Sequence, residues 1–386
     1  KPTIMSQKIL ISLVSDQTIP NILLIKELPV QDRYLFLTTV VMEDDRKGKT
    51  LAIVQTTNLN VYTWEKQEIV EDDFKSVVVG LDKFCLKNND EIIVNITGGT
   101  KPMSLSTYEY FKDRGMNVRF LYKSATRYEF ILLETGATEF QIQSQLSVAD
   151  YLNAYGVRCS KTKAPLKDLE QAVRIFHFFC NGKLKIAEPL RIWYRGKGVK
   201  NIMQAEALEP SINKKGESEN RNLSGLLSML QLLSFQIEKV NVLSKYEVEY
   251  LTGGWFEELV YFLLKRLYPK ADVRMGVLLE KGIQSTNNDL DVVMCLKDKL
   301  SIIECKTSLL LNGKYTQLFN ETVYKAAAIN KNFGLNVASS LYTLDNFNKE
   351  ESKDFWEKSE VFKITLVDLQ KLREQFPILN NIPYAP

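Results

Sequence analysis

Histidine is nearly missing from this chain: His177 is the single one among 386 residues. A two-histidine zinc site, an HNH-type nuclease and a ribonuclease working through a histidine pair are therefore excluded unless subunits share residues. No arginine stands four to six residues ahead of His177, as in HEPN-type ribonucleases, and its place in the amphipathic run LEQAVRIFHFF reads as structural. Cysteine is sparse as well. Cys85, Cys159, Cys180, Cys295 and Cys305 are odd in number, scattered and without a C-x-x-C pair, which excludes a disulfide framework and a structural zinc site and leaves buried thiols. No apolar run reaches the roughly 18 residues of a membrane-spanning helix. The opening KPTIMSQKILISLVSDQ lacks the cleavable apolar segment of a signal peptide, so the expectation is a cytoplasmic protein with no membrane partner. Charge of one sign is not in excess either. A net +3 is too small to predict nucleic-acid binding, and any basic surface must be local.

What is present suits a globular protein: 45% hydrophobic and 25% charged residues, in a length that holds two or three domains with cores of their own. From Lys8 to about Leu133, β-type runs (KILISLV, YLFLTTV, NVYTW, DEIIVNI, NVRFLY, RYEFILLE) alternate with helical patterns such as DDFKSVVVGLDKFCLK and SLSTYEYFKDRG. That alternation predicts βαβ units around a mainly parallel sheet, with a hairpin suited to the last two runs. From about Ser144 to Leu251 the pattern is mixed: a helix over 166–180, a basic stretch RIWYRGKGVKN, a polar linker SINKKGESENRN, and a helical LSGLLSMLQLLSF. From Thr252 onward a third pattern begins, in the order helix, three strands, helix, strand. It predicts a separate α/β domain.

Within that last part, NDLDVVMCLKDKLSIIECKT runs from Asn288 to Thr307 and places charged groups where a core hairpin would want apolar ones. Alternate side chains of a strand share a face, so Glu304 and Lys306 form one chemical patch. A short hairpin through KDK sets Asp291 opposite Glu304 or Cys305. Two facing carboxylates raise one another's pKa unless a cation sits between them, and a hard divalent ion with oxygen ligands resolves the conflict. Lys306 could then position a water or hold a phosphate oxygen, while the metal polarises a phosphodiester. Upstream, GGWFEELVY offers a helix that aims Glu257 at the same place, its glycines permitting close approach. An E-x-K alone is commonly an exposed ion pair; the aspartate ahead of it and the glutamate-bearing helix ahead of both favour catalysis.

In the first domain, EIIVNITGGTKPMS ends a strand in two glycines, a threonine and a lysine, then opens a helix. Such a turn offers backbone N–H groups and a helix N-terminus to an anion, with Lys101 adding charge. It is neither a Walker A loop nor G-x-G-x-x-G, and an ordinary tight turn remains an open alternative. A second loop, SLVSDQTIPN, follows the first strand with Ser15, Asp16, Gln17 and Thr18, all suited to reading a nucleobase or ribose. Both loops fall at carboxyl ends of strands, where open α/β sheets bind ligands.

The C-terminal segment resembles the restriction-endonuclease-like PD-(D/E)xK nucleases. The resemblance implies Asp291 as the motif aspartate, Glu304 and Lys306 as the E-x-K pair, Glu257 as the helix acid, and Lys325 in VYKAAA beside a nucleic-acid phosphate. The chain departs from the usual N-E-L-D in carrying Asp289, one methylene shorter than glutamate. LVSDQTIPN and VNITGGTKPMS together resemble the CARF domain, a Rossmann-like sensor of the cyclic oligoadenylates made by type III CRISPR complexes. Jointly, with SVADYLNAYG between them, these features are similar to the CARF nucleases of CRISPR defence. This resemblance implies a sensor over 5–150, a connecting region over 151–250 and a nuclease domain over 251–386. It further implies a homodimer that binds cyclic tetra-adenylate through Val14, Ser15, Asp16, Gln17, Thr18, Thr97, Gly98, Gly99, Thr100, Lys101 and Met103. The nuclease would use Mn or Mg held by Glu257, Asp291 and Glu304, and cleave single-stranded RNA or DNA as an antiviral effector. Two other readings stay open: a ligand-controlled DNA-binding regulator without catalysis, and a repair or restriction nuclease that ignores nucleotides. The first predicts that Glu304→Ala leaves function intact, the second that cutting is undiminished without the nucleotide.

Overall fold

The computed structural model describes residues 6–44, 48–180, 230–236, 243–280, 288–309, 315–330, 333–347 and 353–381. The basic stretch RIWYRGKGVKN and the linker SINKKGESENRN lie outside the described residues.

The first sheet is built from β1 (Lys8–Leu13), β2 (Arg33–Thr39), β3 (Trp64–Ile69), β4 (Glu91–Asn95), β5 (Val118–Lys123), β6 (Glu129–Leu132) and β7 (Thr138–Gln141). Their order is β3-β2-β1-β4-β5-β6-β7. Pairing is parallel from β3 to β5, and β5, β6 and β7 continue it antiparallel. The predicted hairpin therefore forms. Five helices, α1 (Ile19–Glu27), α2 (Val40–Glu43), α3 (Lys49–Thr56), α4 (Phe74–Asp82) and α5 (Lys101–Arg114), connect the parallel strands. The apolar run of β1 is buried on both faces, as a covered parallel sheet requires. Leu10 faces a core with α1 and α3, whereas Ile9, Ile11 and Leu13 face Val77, Leu81 and Phe111 of α4 and α5. Strand order reverses at the β1–β4 seam, the point at which sheets of this kind open a crevice.

After α6 (Val148–Ala154) comes β8 (Arg158–Lys163), then α7 (Leu169–Phe178), α8 (Lys245–Glu249), a π-helical turn over Tyr250–Gly254 and α9 (Trp255–Leu267). The second sheet adds β9 (Asp272–Glu280), β10 (Asn288–Leu296), β11 (Lys299–Lys306), β12 (Val337–Thr343) and β13 (Ile364–Val367). Its order is β13-β12-β11-β10-β9-β8. Helix α10 (Tyr315–Asn330) precedes β12, while α11 (Lys353–Val361), α12 (Leu369–Gln375) and α13 (Ile378–Asn381) close the chain. The sequence pattern assigned β8 to neither domain; the structure makes it the edge strand of this sheet, so the second sheet reaches back into the connecting region.

The two sheets share a core. Leu10, Ile22 and Leu24 of the first domain and Tyr151 and Leu152 of α6 belong to one buried cluster with Val277, Leu290, Val293 and Ile302 of the second. On the other face, Val273, Val292, Ile303 and Cys305 pack with Trp255, Leu259 and Leu263 of α9. β9 and β10 change face at the same level: Val273 and Val292 lie on the α9 side, Val277 and Leu290 on the opposite side. The change falls at Gly276, whose φ is +53°, and at Asp291.

Candidate active site and sensor loops

The β10–β11 hairpin pairs Val292 with Ile303 and Leu296 with Lys299. One residue further along that register, Asp291 stands across from Glu304. The Lys306 ammonium lies between them, 2.7 Å from Glu304 Oε1 and 3.3 Å from Asp291 Oδ2. The Cys305 N–H donates to Asp291 Oδ2 at 2.7 Å. From α10, Lys325 donates to Glu304 Oε2 at 3.4 Å and to the Asp289 carbonyl at 3.2 Å. A third lysine, Lys163 of β8, reaches Asp289 Oδ2 at 3.1 Å. Three strands and a helix thus bring together three carboxylates and three ammonium groups, and Glu257 of α9 adds a fourth carboxyl that feels the charges of Asp291, Lys163 and Lys306.

Burial and charge compete at each of these groups. Burial and the neighbouring Asp291 push the Glu257 carboxyl up to about 8, against the pull of Lys163 and Lys306. Burial also raises Asp291, with Glu304 adding to it and Lys306 opposing. At Glu304 burial pushes upward, but Lys306 and Lys325 outweigh it and the carboxyl is lowered. Burial pulls the Lys306 ammonium down, yet Asp291 and Glu304 hold it well above the usual lysine value. Burial thus favours the protonated form of Glu257, while the lysines keep Glu304 ionised.

The expected metal-ligand trio of Glu257, Asp291 and Glu304 is not assembled as such. Among the described residues no group of three or more His, Cys, Asp or Glu stands so as to hold a metal ion. Asp291 and Glu304 are instead both bonded to the Lys306 ammonium. The donor chemistry still fits a hard divalent ion, because the oxygens gathered here are carboxylates and the buried Asp289 Oδ1 has no hydrogen-bond partner among the described residues.

The two sensor loops adjoin at the β1–β4 seam. A Cβ on Gly98 would collide with the Leu13 carbonyl oxygen, so the close approach of the second loop to the first depends on glycine there. Two buried asparagines tie the loops together. Asn21 Nδ2 donates to the Leu13 carbonyl at 3.0 Å, Asn95 Nδ2 donates to Asn21 Oδ1 at 2.6 Å, and the Thr97 N–H donates to Asn95 Oδ1 at 3.2 Å. Thr100 caps α5, its hydroxyl accepting from the Met103 N–H. Lys101 and Asp16 are exposed, and Ser15, Gln17, Thr97, Gly99 and Thr100 are partly exposed. Val14, Thr18 and Met103 are buried. Thr18 donates its hydroxyl to the Ala154 carbonyl at 2.7 Å, so its side chain is engaged with α6.

Comparison with known families identifies both halves. The model described as the Card1 CARF domain matches residues 9–151, and the one described as Card1-like, endonuclease domain, matches residues 244–372. The chain thus combines a CARF domain with a Card1-like endonuclease domain. Comparison with the curated proteins gave no match. Among solved structures, protein VC1899 from Vibrio cholerae is similar over 96% of this chain and 97% of its own, at 18% identity and a TM-score of 0.72. Can2 from Sulfobacillus thermosulfidooxidans, solved in complex with cyclic tetra-adenylate, covers 97% of each chain at 20% identity and a TM-score of 0.67. A type III CRISPR defence DNA nuclease activated by cyclic oligoadenylate matches 89% of this chain but 46% of its own, at 18% identity and a TM-score of 0.52. At these identities the likeness is one of fold. Among the described residues, no helix of this CARF endonuclease is long and apolar enough to cross a membrane.

Several residues at these sites carried no usable sequence signal. Asn21 and Asn95 look like helix and strand-end polar residues until their side chains are seen to meet. Lys163 lies in RCSKTK, whose residues are largely exposed, and nothing in that pattern points at a hairpin more than a hundred residues away.

Proposed function

We propose that this CARF endonuclease is a metal-dependent phosphodiesterase acting on single-stranded RNA or DNA and switched on by a cyclic oligoadenylate. The observation that carries the proposal is Lys306 bridging Asp291 and Glu304 on paired strands, in a chain whose other half is a CARF domain.

Asp291, Glu304 and Glu257 would hold a Mn or Mg ion, which would supply Lewis-acid polarisation of a phosphodiester. Lys306, whose ammonium lies at both carboxylates, would hold a water or a non-bridging oxygen. Lys325 is placed to receive an adjacent phosphate. The Glu257 carboxyl, pushed up to about 8, must give up its proton for the cation to bind near neutral pH.

For the sensor, the accessible groups suit a cyclic tetra-adenylate: N–H groups around Gly99 and Thr100 with Lys101 for phosphate, and Ser15, Asp16 and Gln17 for the bases or sugars. A twofold ring fits a twofold homodimer pocket. Signal can leave that pocket by two contacts. The Gln17 Oε1 accepts from the Leu335 N–H at 3.1 Å, next to the α10–β12 connection. The Thr97 hydroxyl accepts from the Lys123 N–H at 2.8 Å, and the Lys123 side chain pairs with Asp298 in the β10–β11 turn at 2.8 Å. A ligand that favours one arrangement of the loops would bias the hairpin carrying Asp291 and Glu304.

The test is cleavage of labelled single-stranded RNA and DNA with Mn and cyclic tetra-adenylate. Glu304→Ala is expected to lower the rate at least about a hundredfold. Equal cutting by the variant would remove the site from the reaction.

A further inference from the structure

Lys163 stands out among the basic residues of β8. An edge strand is often lined with lysines that keep other strands away, and such a lysine points into solvent. Lys163 instead lies back across the sheet. Its Cγ and Cβ sit 2.5 and 2.9 Å from where a Cβ on Gly276 would be. Glycine at 276 therefore leaves a channel for the Lys163 stem, and its positive φ of +53° lets β9 bend there. The β8–β9 register is broken twice, between Cys159 and Lys161 and between Lys161 and Lys163. Such irregularities re-aim a side chain. Gly276 lies between Met275, which pairs with Val292, and Val277, which pairs with Leu290, so the channel opens beside Asp291.

The end of that stem is a charge at the rim of the site. Lys163 Nζ lies 3.1 Å from Asp289 Oδ2, and its side chain is 51% exposed. The other two site lysines differ. Lys306 is held by two carboxylates at once, and Lys325 by Glu304 and a backbone carbonyl. Among the described residues Lys163 is hydrogen-bonded to one carboxylate, with the charge of Glu257 also acting on it, and it has the largest open surface of the three. An ammonium so placed can exchange a carboxylate for a phosphate without losing its position, because its stem is fixed by the Gly276 channel.

We propose that Lys163, supplied by the connecting region, is a substrate-binding residue of the nuclease site that holds a backbone phosphate of the nucleic acid next to the scissile one. This rests on the nuclease reading of the Asp291–Glu304 site. It places part of the substrate contact on the strand that follows the sensor domain's last helix, so the α6–β8 segment would move substrate contact and sensor together.

The experiment uses the full chain with cyclic tetra-adenylate and a fluorescent single-stranded DNA or RNA, following binding by anisotropy over a range of salt concentrations, and cleavage in parallel. A lysine that contacts phosphate contributes about 0.7 to the slope of log affinity against log salt on a single strand. Lys163→Ala is expected to reduce the slope by about that amount and to raise KM several-fold, and Lys163→Arg to restore both. If Lys163 only neutralises Asp289, the double variant Lys163→Ala/Asp289→Asn regains the wild-type slope; if it contacts phosphate, the slope stays reduced. Wild-type cleavage that Glu304→Ala abolishes, together with an unchanged slope in Lys163→Ala, overturns the assignment of Lys163 alone. No cleavage or no nucleic-acid binding by wild type overturns the nuclease reading and this inference with it.

Discussion

Lys123 Nζ and Asp298 Oδ2 lie 2.8 Å apart, each side chain less than a tenth exposed, and they join the last parallel strand of the sensor sheet to the turn of the nuclease hairpin. Asn336 Nδ2 also donates to Asp298, at 3.3 Å. A buried ion pair between two domains contributes little when intact, but removing one partner leaves an uncompensated charge.

Lys123→Ala is therefore expected to destabilise the protein by about 3 kcal/mol, read as a shift in the urea midpoint. The double variant Lys123→Met/Asp298→Leu should recover most of that loss while weakening the dependence of cleavage on cyclic tetra-adenylate. Recovered stability with unchanged activation would show that the pair holds the domains together without carrying the signal.

Gly98→Ala should disrupt the sensor loops. Its Cβ would meet the Leu13 carbonyl oxygen, which is backbone and cannot swing aside. Affinity for cyclic tetra-adenylate is expected to fall about tenfold or more, equivalent to about 1.4 kcal/mol, in a calorimetric titration. Cleavage-site chemistry is untouched by this change, so any residual activity at saturating ligand should respond to Glu304→Ala as wild type does.

Glu258 gives a pH signature. It is buried and accepts the Leu166 and Lys167 N–H groups at 2.5 and 2.9 Å, tying the start of α9 to the segment before α7. Burial pushes its carboxyl from 4.5 up to about 7, against those two hydrogen bonds. The folded state thus holds the proton more tightly than the unfolded one. The stability this contributes is present below the ordinary carboxylate value and is lost as pH rises through about 7. Its size is on the order of 3 kcal/mol. Glu258→Gln should flatten the profile of urea midpoint against pH over that interval; a profile identical to wild type would contradict the assignment.

Gln17→Ala removes the acceptor of the Leu335 N–H. The expected outcome is a lower maximal stimulation of cleavage by the cyclic nucleotide, with the urea midpoint within about 1 kcal/mol of wild type. Comparing stimulated and unstimulated rates in the same preparation reads it directly.

The parts that were legible in the sequence are those set by local periodicity. The alternation of strands and helices gave the parallel sheet, and the two-residue period of SIIECKT placed Glu304 beside Lys306. The short turn at Lys297 and Asp298 fixed the hairpin register to within the residue that mattered, since Asp291 stands across from Glu304. What escaped depends on contacts distant in sequence. Lys123 closes an apolar strand and Asp298 sits in a hairpin turn, both ordinary places for charge, and only the packing of the two sheets brings them together. Thr18 looked suited to a nucleobase because its loop position is right; α6 covers it and takes its hydroxyl. The E-x-K spacing showed Lys306 beside Glu304, but that Lys163 and Lys325 also reach these carboxylates depends on β8 and α10 packing against the hairpin.

The most direct test of the whole account is the rate of single-strand cleavage by wild type with Mn, measured with and without cyclic tetra-adenylate and repeated with Glu304→Ala. The account predicts cleavage that requires the nucleotide and vanishes in the variant. Cleavage of equal rate without the nucleotide would contradict the gating, and cleavage that survives Glu304→Ala would contradict the site.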